Sequence, residues 1–333
     1  MIRNAVGPAS LRPAILQCYI IFEHLFPWRS HCVRSLDGPT VAFPEEWVSV
    51  GMGTNHTVRI ATLNMFGLRE NWPARRDLIA EGFADFSPDL VALQEVVTND
   101  SVDQAHDVLG DGYQFVHHTE READGQGISI ASRWPVTAVH EVDLHLGPRP
   151  AAFACSALLT EIEAPDPVGR MLFVNHLPDW QLTHEAERER QTVTVARVIE
   201  DLVGAGRLHV IVAGDLDATP DAASIRFWTG KQSLDGFSVC YRDAWAATNA
   251  HEPGHTFTPE NTLTTTAEVG DWELELGRRI DYIFVRCSDH GPTLQVERCR
   301  RLFDQSRGGT WPSDHFGVGA ELAAVTPSGR PVP

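Results

Sequence analysis

From Thr57 onward the apolar residues of the chain fall into two alternating rhythms. The stretch TVRIATLN at 57–64 changes polarity at nearly every step, which is the period of a strand with one buried face. Short apolar runs of strand length recur at LVALQE (90–95), GISIAS (127–132), MLFVNHL (171–177), LHVIVAG (208–214) and IDYIFVR (280–286). Segments of helical period separate them. In NWPARRDLIAEGFADF (71–86), Asn71 is a candidate cap, Pro73 stands in the first turn, and Leu78, Ile79 and Phe83 are at helical spacing. Residues 184–203 predict a long amphipathic helix with Val195, Ile199, Leu202 and Val203 inward. A shorter helix is expected from Pro220 through DAASIRFW, capped by Thr219. Many short strands and fewer helices point to sheets packed on each other with helices outside, not to a single wound parallel sheet.

Residues 1–55 show no such period, and scattered Pro, Trp and Cys interrupt them. We read them as an N-terminal extension, with Met52 an alternative start, followed by one domain over 56–325 and a tail at 326–333. Within the extension, AILQCYIIFEHLFPW is apolar but broken by Glu23 and His24, too short to span a bilayer, and unlike a cleavable signal. No membrane insertion and a cytoplasmic location are therefore expected.

Composition narrows the function. A hydrophobic share of 43% with 22% charged residues gives ample core, and the formal net charge of −18 argues against non-specific adhesion to nucleic acid or anionic membrane. It leaves a phosphorylated substrate open, because a divalent cation can supply positive charge locally. Lys231 is the only lysine. The six cysteines form no CxxC pair or zinc-like spacing and are read as idle thiols.

Several strands end in residues that apolar packing does not call for. Asn64 closes the first, Gln94-Glu95 the second and Asn175-His176 a third; GDLDATPD at 214–221 places Asp215 and Asp217 two apart at a strand end. Asp281 opens another, and PSDHFGVG carries Asp314 and His315. Like charges this close need a cation or a shared proton. Strand ends gather on one rim of a sheet, where an Asn, several carboxylates and two His suit a hard, oxygen-liganded cation better than zinc.

The blocks RIATLNMFGL, DLVALQEV, GISIASRWPV, LFVNHLPDWQ, VIVAGDLDATP, RRIDYIFV and PSDHFGV occur in the order seen in the metal-dependent endonuclease/exonuclease/phosphatase superfamily, and the chain resembles that superfamily over about 57–323. The resemblance implies an α/β four-layer sandwich, two packed mixed β-sheets flanked by helices, with one Mg²⁺ or Mn²⁺ at the rim. It also implies that Glu95 is the principal metal ligand, supported by Asn64 and Asp314. Asp215 would position or deprotonate the attacking water, His315 would meet the scissile phosphate, Asp281 would orient its ring, and His176 would be a second active-site histidine. One residue departs from the pattern: Asp217 stands where the superfamily usually has Asn. An ionised Asp only accepts hydrogen bonds, so Asp217 is protonated, faces a metal, or marks a different substrate pose. A second cation is our expectation for it.

Further readings concern the surroundings. Asp179 and Trp180 are either pocket lining or a surface turn, Arg149 and Arg133 are candidate phosphate contacts with Arg133 read as structural, and EAERERQ (185–191) is read as a solvated helix face. Asp281 pairing only with Arg278 or Arg279 is the bland alternative for that residue. The leading expectation is a phosphoesterase acting on a small-molecule or lipid-headgroup phosphate. A nuclease is second, disfavoured by the lack of a basic stripe with interleaved aromatics, and a silent binding module is third. Specificity is expected in rim loops at 98–126, 143–152 and 229–275, where PGHTFTPENTLTTTAEVGDWELELG is a candidate wall.

Overall fold

The computed structural model describes residues 57–149, 153–204, 206, 208–266 and 277–324. The expected extension, the alternative start at Met52 and the tail lie outside the described residues.

Strand β1 (Thr57–Asn64) crosses over through α1 (Trp72–Phe86) to β2 (Leu90–Asn99), and the two strands run parallel. A two-residue β3 (Val102–Asp103), α2 (Gln104–Leu109), β4 (Gln114–His117) and β5 (Gln126–Ser132) follow, with β5 antiparallel to β2 and β4. The chain then forms an antiparallel meander of β6 (Val136–Asp143), β7 (Ser156–Glu163) and β8 (Arg170–Leu177). A second crossover through α3 (Glu185–Val203) reaches β9 (His209–Asp215), parallel to β8. Next come α4 (Ala223–Trp228), β10 (Tyr241–Asp243), α5 (Ala244–Thr248) and α6 (Leu263–Thr266). Strand β11 (Asp281–Ser288) pairs antiparallel with β9 and β10 and carries the short β12 (Gly291–Pro292); β13 (Leu294–Leu302) and β14 (Gly317–Ala324) return to close the first sheet against β1.

Two mixed seven-stranded sheets result, ordered β13-β14-β1-β2-β5-β4 and β10-β11-β9-β8-β7-β6. Strand alternation sends one residue set inward and the other outward. The inward set, including Ile60, Leu90, Ile130, Val318, Leu158, Phe173, Ile211 and Ile283, forms the core between the sheets. Outward residues Leu63, Val91 and Leu93 pack under α1 and α2, and Leu172, Val174, Val210 and Phe284 pack under α3 and α4. The expected four layers are therefore present.

Local details differ from the sequence reading. Asn71 makes no capping bond; Pro73 in the first turn needs no N–H partner, and the α1 entry is held otherwise. Helix α4 begins at Ala223 and not at Pro220: Thr219 Oγ1 donates to Asp221 Oδ1 at 2.6 Å and the chain makes a turn there, Ala222 N–H donating to Thr219 O. The 185–191 run is solvated only in part: Ala186 and Arg190 are exposed, whereas Glu187, Arg188 and Gln191 are buried. Arg188 Nη1 donates to the carbonyls of Asp179 and Gln181, so this charge latches the loop leaving β8. The 98–126 region is largely ordered into β3, α2 and β4, and 229–275 contains β10, α5 and α6. Among the described residues Cys155, Cys240, Cys287 and Cys299 are free thiols, and no helix is long and apolar enough to cross a membrane.

Phe173 is fully buried between the sheets, so Phe173→Ala is expected to cost about 3–5 kcal/mol in a urea unfolding measurement. A cost below about 1 kcal/mol would show that the inter-sheet core is not where the stability resides.

Candidate active site

The inward face of both sheets changes character toward one rim. Along β1 the inward residues run Val58, Ile60, Thr62, Asn64; along β2, Leu90, Ala92, Gln94; along β8, Met171, Phe173, Asn175; along β9, Ile211, Ala213, Asp215. Buried polar groups must be paired, and these pair with each other. Gln94 Nε2 donates to Asn175 Oδ1 at 2.7 Å, and Asn175 Nδ2 donates to the carbonyls of Leu93 and Ser129. Thr62 Oγ1 donates to Gln94 Oε1 at 3.2 Å.

Beyond this layer the carboxylates converge. Asn64 Nδ2 donates to Glu95 Oε1 at 3.1 Å and to Asp215 Oδ2 at 3.0 Å, joining the two sheets. Glu95 reaches the rim because β2 bulges between Leu93 and Val96, and Glu95 itself takes a left-handed φ of 50°. Its other oxygen accepts from Arg69 Nη1 at 2.7 Å. Asp215 and Asp281 are register partners on β9 and β11. His315 Nδ1 lies 3.0 Å from Asp281 Oδ2, and its Nε2 lies 3.7 Å from Asp215 Oδ2. Asp314 accepts from Ser313 Oγ at 3.1 Å, while Ser313 Oγ is 2.7 Å from the Asn64 carbonyl. Asp281 pairs with neither neighbouring arginine: Arg279 pairs with Asp243 at 2.8 Å, and Arg278 Nη2 donates to the Asp217 carbonyl.

Asp217 sits at the flank with φ 49°, its N–H donating to Asp215 Oδ1 at 3.2 Å. Burial raises its carboxyl to about 6, against the pull of His315, Arg278 and Arg188. Burial, then the charge of Asp217, lifts Asp215 well above the usual carboxylate range. Burial and the nearby Glu95 raise Asp314. For His315 burial opposes the charged ring, but Asp281 and Asp215 outweigh it and hold the imidazole well above its ordinary value.

His176 is the exception. It is fully buried on the outward face of β8, its ring 6.1 Å from that of Trp228, and neither ring nitrogen has a hydrogen-bond partner. Burial pushes it down to about 3, so the ring is neutral. Strand alternation explains the correction: Asn175 takes the inward position and His176 must point away. What His176 gives the rim is its backbone, against which Gly214 packs so closely that a Cβ would lie 2.1 Å from the carbonyl oxygen.

Sequence reasoning missed the frame around these groups. Thr256 Oγ1 accepts from the N–H groups of Ile280 and Asp281, the Phe257 ring lies tilted with its centroid 5.0 Å from that of His315, and Asn261 Nδ2 donates to the carbonyls of Ser313 and Asp314. The start of the expected wall is thus a bracket under the site; residues 267–276 lie outside the described residues. Arg75 was missed as well, although a basic residue in line with Ile79, Phe83 and Phe86 on the buried stripe of α1 was a readable signal. Arg133 is structural as expected, lying over the Tyr113 ring. Arg149 is tied to His184 Nε2 and the Thr183 carbonyl.

Two triads with metal-ligand spacing occur among the described residues: Asp215, Asp281 and His315, which are buried, and Glu120, Asp143 and His145, which are more exposed. In the second, both His145 nitrogens are taken, by Asp143 and the Phe153 carbonyl. In the buried set both nitrogens of His315 face its two acids, so the donors left for a hard divalent cation are the carboxylates, Asp215 and Asp281 with Glu95 and Asp314 nearby, and Asp281 Oδ1 is buried without a partner.

A model of the Endonuclease/Exonuclease/phosphatase family matches residues 61–315. The chain belongs to that family. The family makes it a hydrolase of phosphoric esters, and acidic groups able to hold a divalent metal are in place. No curated protein matches the sequence significantly. Among solved structures it is similar to truncated TDP2 from Caenorhabditis elegans, with 18% identity, a TM-score of 0.62, and coverage of 80% of this chain and 97% of that one. It is similar to a family protein from Bacteroides thetaiotaomicron at 20% identity and TM-score 0.62, covering 80% and 94%. It also resembles the human Nocturnin catalytic domain at 17% and 0.60, covering 81% and 96%. At these identities the likeness is one of fold.

Asp215, Asp217 and His315 are all shifted upward, so the folded chain holds more protons than the unfolded one and loses stability as pH rises. For Asp217 that contribution is complete below 3.8 and gone once pH passes about 6; for His315 it is complete below 6.5 and lost at higher pH. Below about 6.5 the depressed histidines, His176 above all, act in the opposite direction, so the clear expectation is above that pH: thermal midpoints in EDTA should fall as pH rises beyond about 6.5, and added Mn²⁺ should raise them most at the alkaline end. A midpoint in EDTA that rises with pH above 6.5 would contradict the shifts of Asp215 and His315.

Proposed function

We propose that this family member is a Mg²⁺- or Mn²⁺-dependent phosphodiesterase or phosphatase acting on a small-molecule or lipid-headgroup phosphate. The observation that carries the reading is the Asp281–His315–Asp215 array, one imidazole held between two carboxylates beside the Asn64–Glu95 pair.

In this reading Glu95 and Asp314 would hold the cation, which would supply Lewis acidity and a lower pKa for water. Asn64, whose amide oxygen accepts from the Phe66 N–H, would position Glu95 and Asp215 through its Nδ2 and would not act as the ligand first expected. Asp215 accepts the proton of the attacking water, as its position between Asn64 Nδ2 and His315 Nε2 suits. Asp281 keeps the His315 ring oriented and charged, so that Nε2 faces the phosphoryl oxygens and meets the negative charge that develops on them. Asp217 takes part through its carboxyl, which near neutrality exchanges a proton readily at its value of about 6. His176 has no part in the chemistry.

The substrate class draws support from the rim. Among the described residues the exposed large hydrophobics are Leu68, Trp180 and Leu182, which stand in the loops leaving β1 and β8. Such a mouth suits a substrate with an apolar or ring-bearing group beside its phosphate. The D. rerio TDP2 structure, also similar in fold at 17% identity, is complexed with a single-strand DNA product, which keeps the nuclease class within the test.

The expected result is turnover of bis(p-nitrophenyl) phosphate that EDTA abolishes and Mg²⁺ or Mn²⁺ restores, without cleavage of oligonucleotide. Asp215→Asn and His315→Ala should each lower kcat by about 10²–10⁴-fold. His176→Phe should leave kcat within about threefold. Nicking of supercoiled plasmid that His315→Ala removes would move the assignment to nuclease, and no turnover of any phosphoester with either metal would reject the enzyme reading. Asp217→Asn is expected to change the metal dependence; an unchanged dependence and rate would deny Asp217 a share in cation binding.

A further inference from the structure

Arg75 is 1% exposed, on the stripe of α1 that otherwise buries Ile79, Phe83 and Phe86. Among the described residues it pairs with no carboxylate. Its guanidinium instead donates to four backbone carbonyls: Nε to Pro312 at 3.0 Å, Nη1 to Gly67 at 3.2 Å and to Arg69 at 2.7 Å, and Nη2 to Met65. The rings of Phe66 and Trp72 flank it, their centroids 5.2 Å and 5.5 Å from Cζ. Packing alone does not call for this. An apolar side chain would fill the stripe without the desolvation that lowers Arg75 to about 10, a loss that the negative charge of nearby Asp314 does most to oppose.

The acceptors are what matter. Met65, Gly67 and Arg69 belong to the loop that starts at Asn64 and carries the Glu95 partner Arg69; Pro312 stands two residues before Asp314. Arg75 and Pro312 are 237 residues apart in the sequence, and one planar cation holds both loops. We infer that Arg75 is a positioning residue, which fixes the Asn64 loop against the Asp314 loop and thereby sets the affinity of the rim for its divalent cation. This rests on the functional reading above. A lysine cannot replace it, because an ammonium lacks the planar fork that reaches four carbonyls between two rings.

The test compares metal-free wild type, Arg75→Lys, Arg75→Gln and Ile79→Ala, titrated with Mn²⁺ by calorimetry without substrate and assayed separately for turnover. Both Arg75 variants should bind Mn²⁺ about 10- to 100-fold more weakly, with kcat reduced and KM within about threefold. Ile79→Ala, which removes buried volume from the same helix, should lower the thermal midpoint yet keep wild-type Mn²⁺ affinity. Mn²⁺ affinity unchanged in Arg75→Lys and Arg75→Gln, or equally weakened in Ile79→Ala, would overturn the inference alone. Failure of both Arg75 variants to fold would also overturn it, because Arg75 would then hold the fold and not the cation site. A wild type that binds no divalent cation would overturn the functional reading and this inference with it.

Discussion

One side-chain amide ties the site together. Asn64 Nδ2 reaches Glu95 in its own sheet and Asp215 in the other, across 151 residues of sequence. Only a donor can sit between two acceptors, which is why an amide, and not a third carboxylate, ends β1. The amide oxygen turns back to accept from the Phe66 N–H at 3.0 Å, which fixes the orientation of the group. Removal of this bridge would leave two carboxylates facing each other at the mouth of the sandwich.

The rest of the rim follows from burying charge in quantity. Asp215, Asp281 and Asp314 are at most 9% exposed, and burial first, then the charge of Asp217 on Asp215 and of Glu95 on Asp314, raises two of the three. Such a group is costly unless it is paired, and the fold pairs it in layers. Neutral amides and hydroxyls form the floor, His315 bridges two acids above them, and the remaining acceptor capacity points to where a cation would sit. The backbone is bent to serve this arrangement: Glu95 and Asp217 both adopt left-handed conformations, a strain that surrounding structure must hold in place.

The frame beneath is built from unlike parts with one task. Arg75 holds the Asn64 and Pro312 loops, Asn261 holds the Ser313 and Asp314 carbonyls, Thr256 holds the Ile280 and Asp281 amides, and Arg188 holds the Asp179 loop. Each satisfies backbone groups that loops would otherwise leave unpaired at the edge of a core. The clustered acids and His315 are thereby carried on backbones that these frame residues fix.

Much of this was legible in the chain itself. Period-two and helical patterning located β1, β2, β5, β8, β9 and β11 and the crossover helices α1 and α3, because burial of one face is written directly into alternation. Polar residues where apolar packing calls for none marked Asn64, Glu95, Asp215, Asp281, Asp314 and His315, and the structure brings those six together. His176 shows the limit: in Asn175-His176 two polar neighbours end one strand, and only the register of β8 against β7 and β9 decides which points inward. The β2 bulge, the Asn64 bridge and the guanidinium of Arg75 were equally beyond reach, since each is a bond between segments that sequence separation hides. Local periodicity determined which residues are buried; the meeting of distant loops, set by sheet pairing and hydrogen-bond satisfaction, decided which of the buried polar groups face one another.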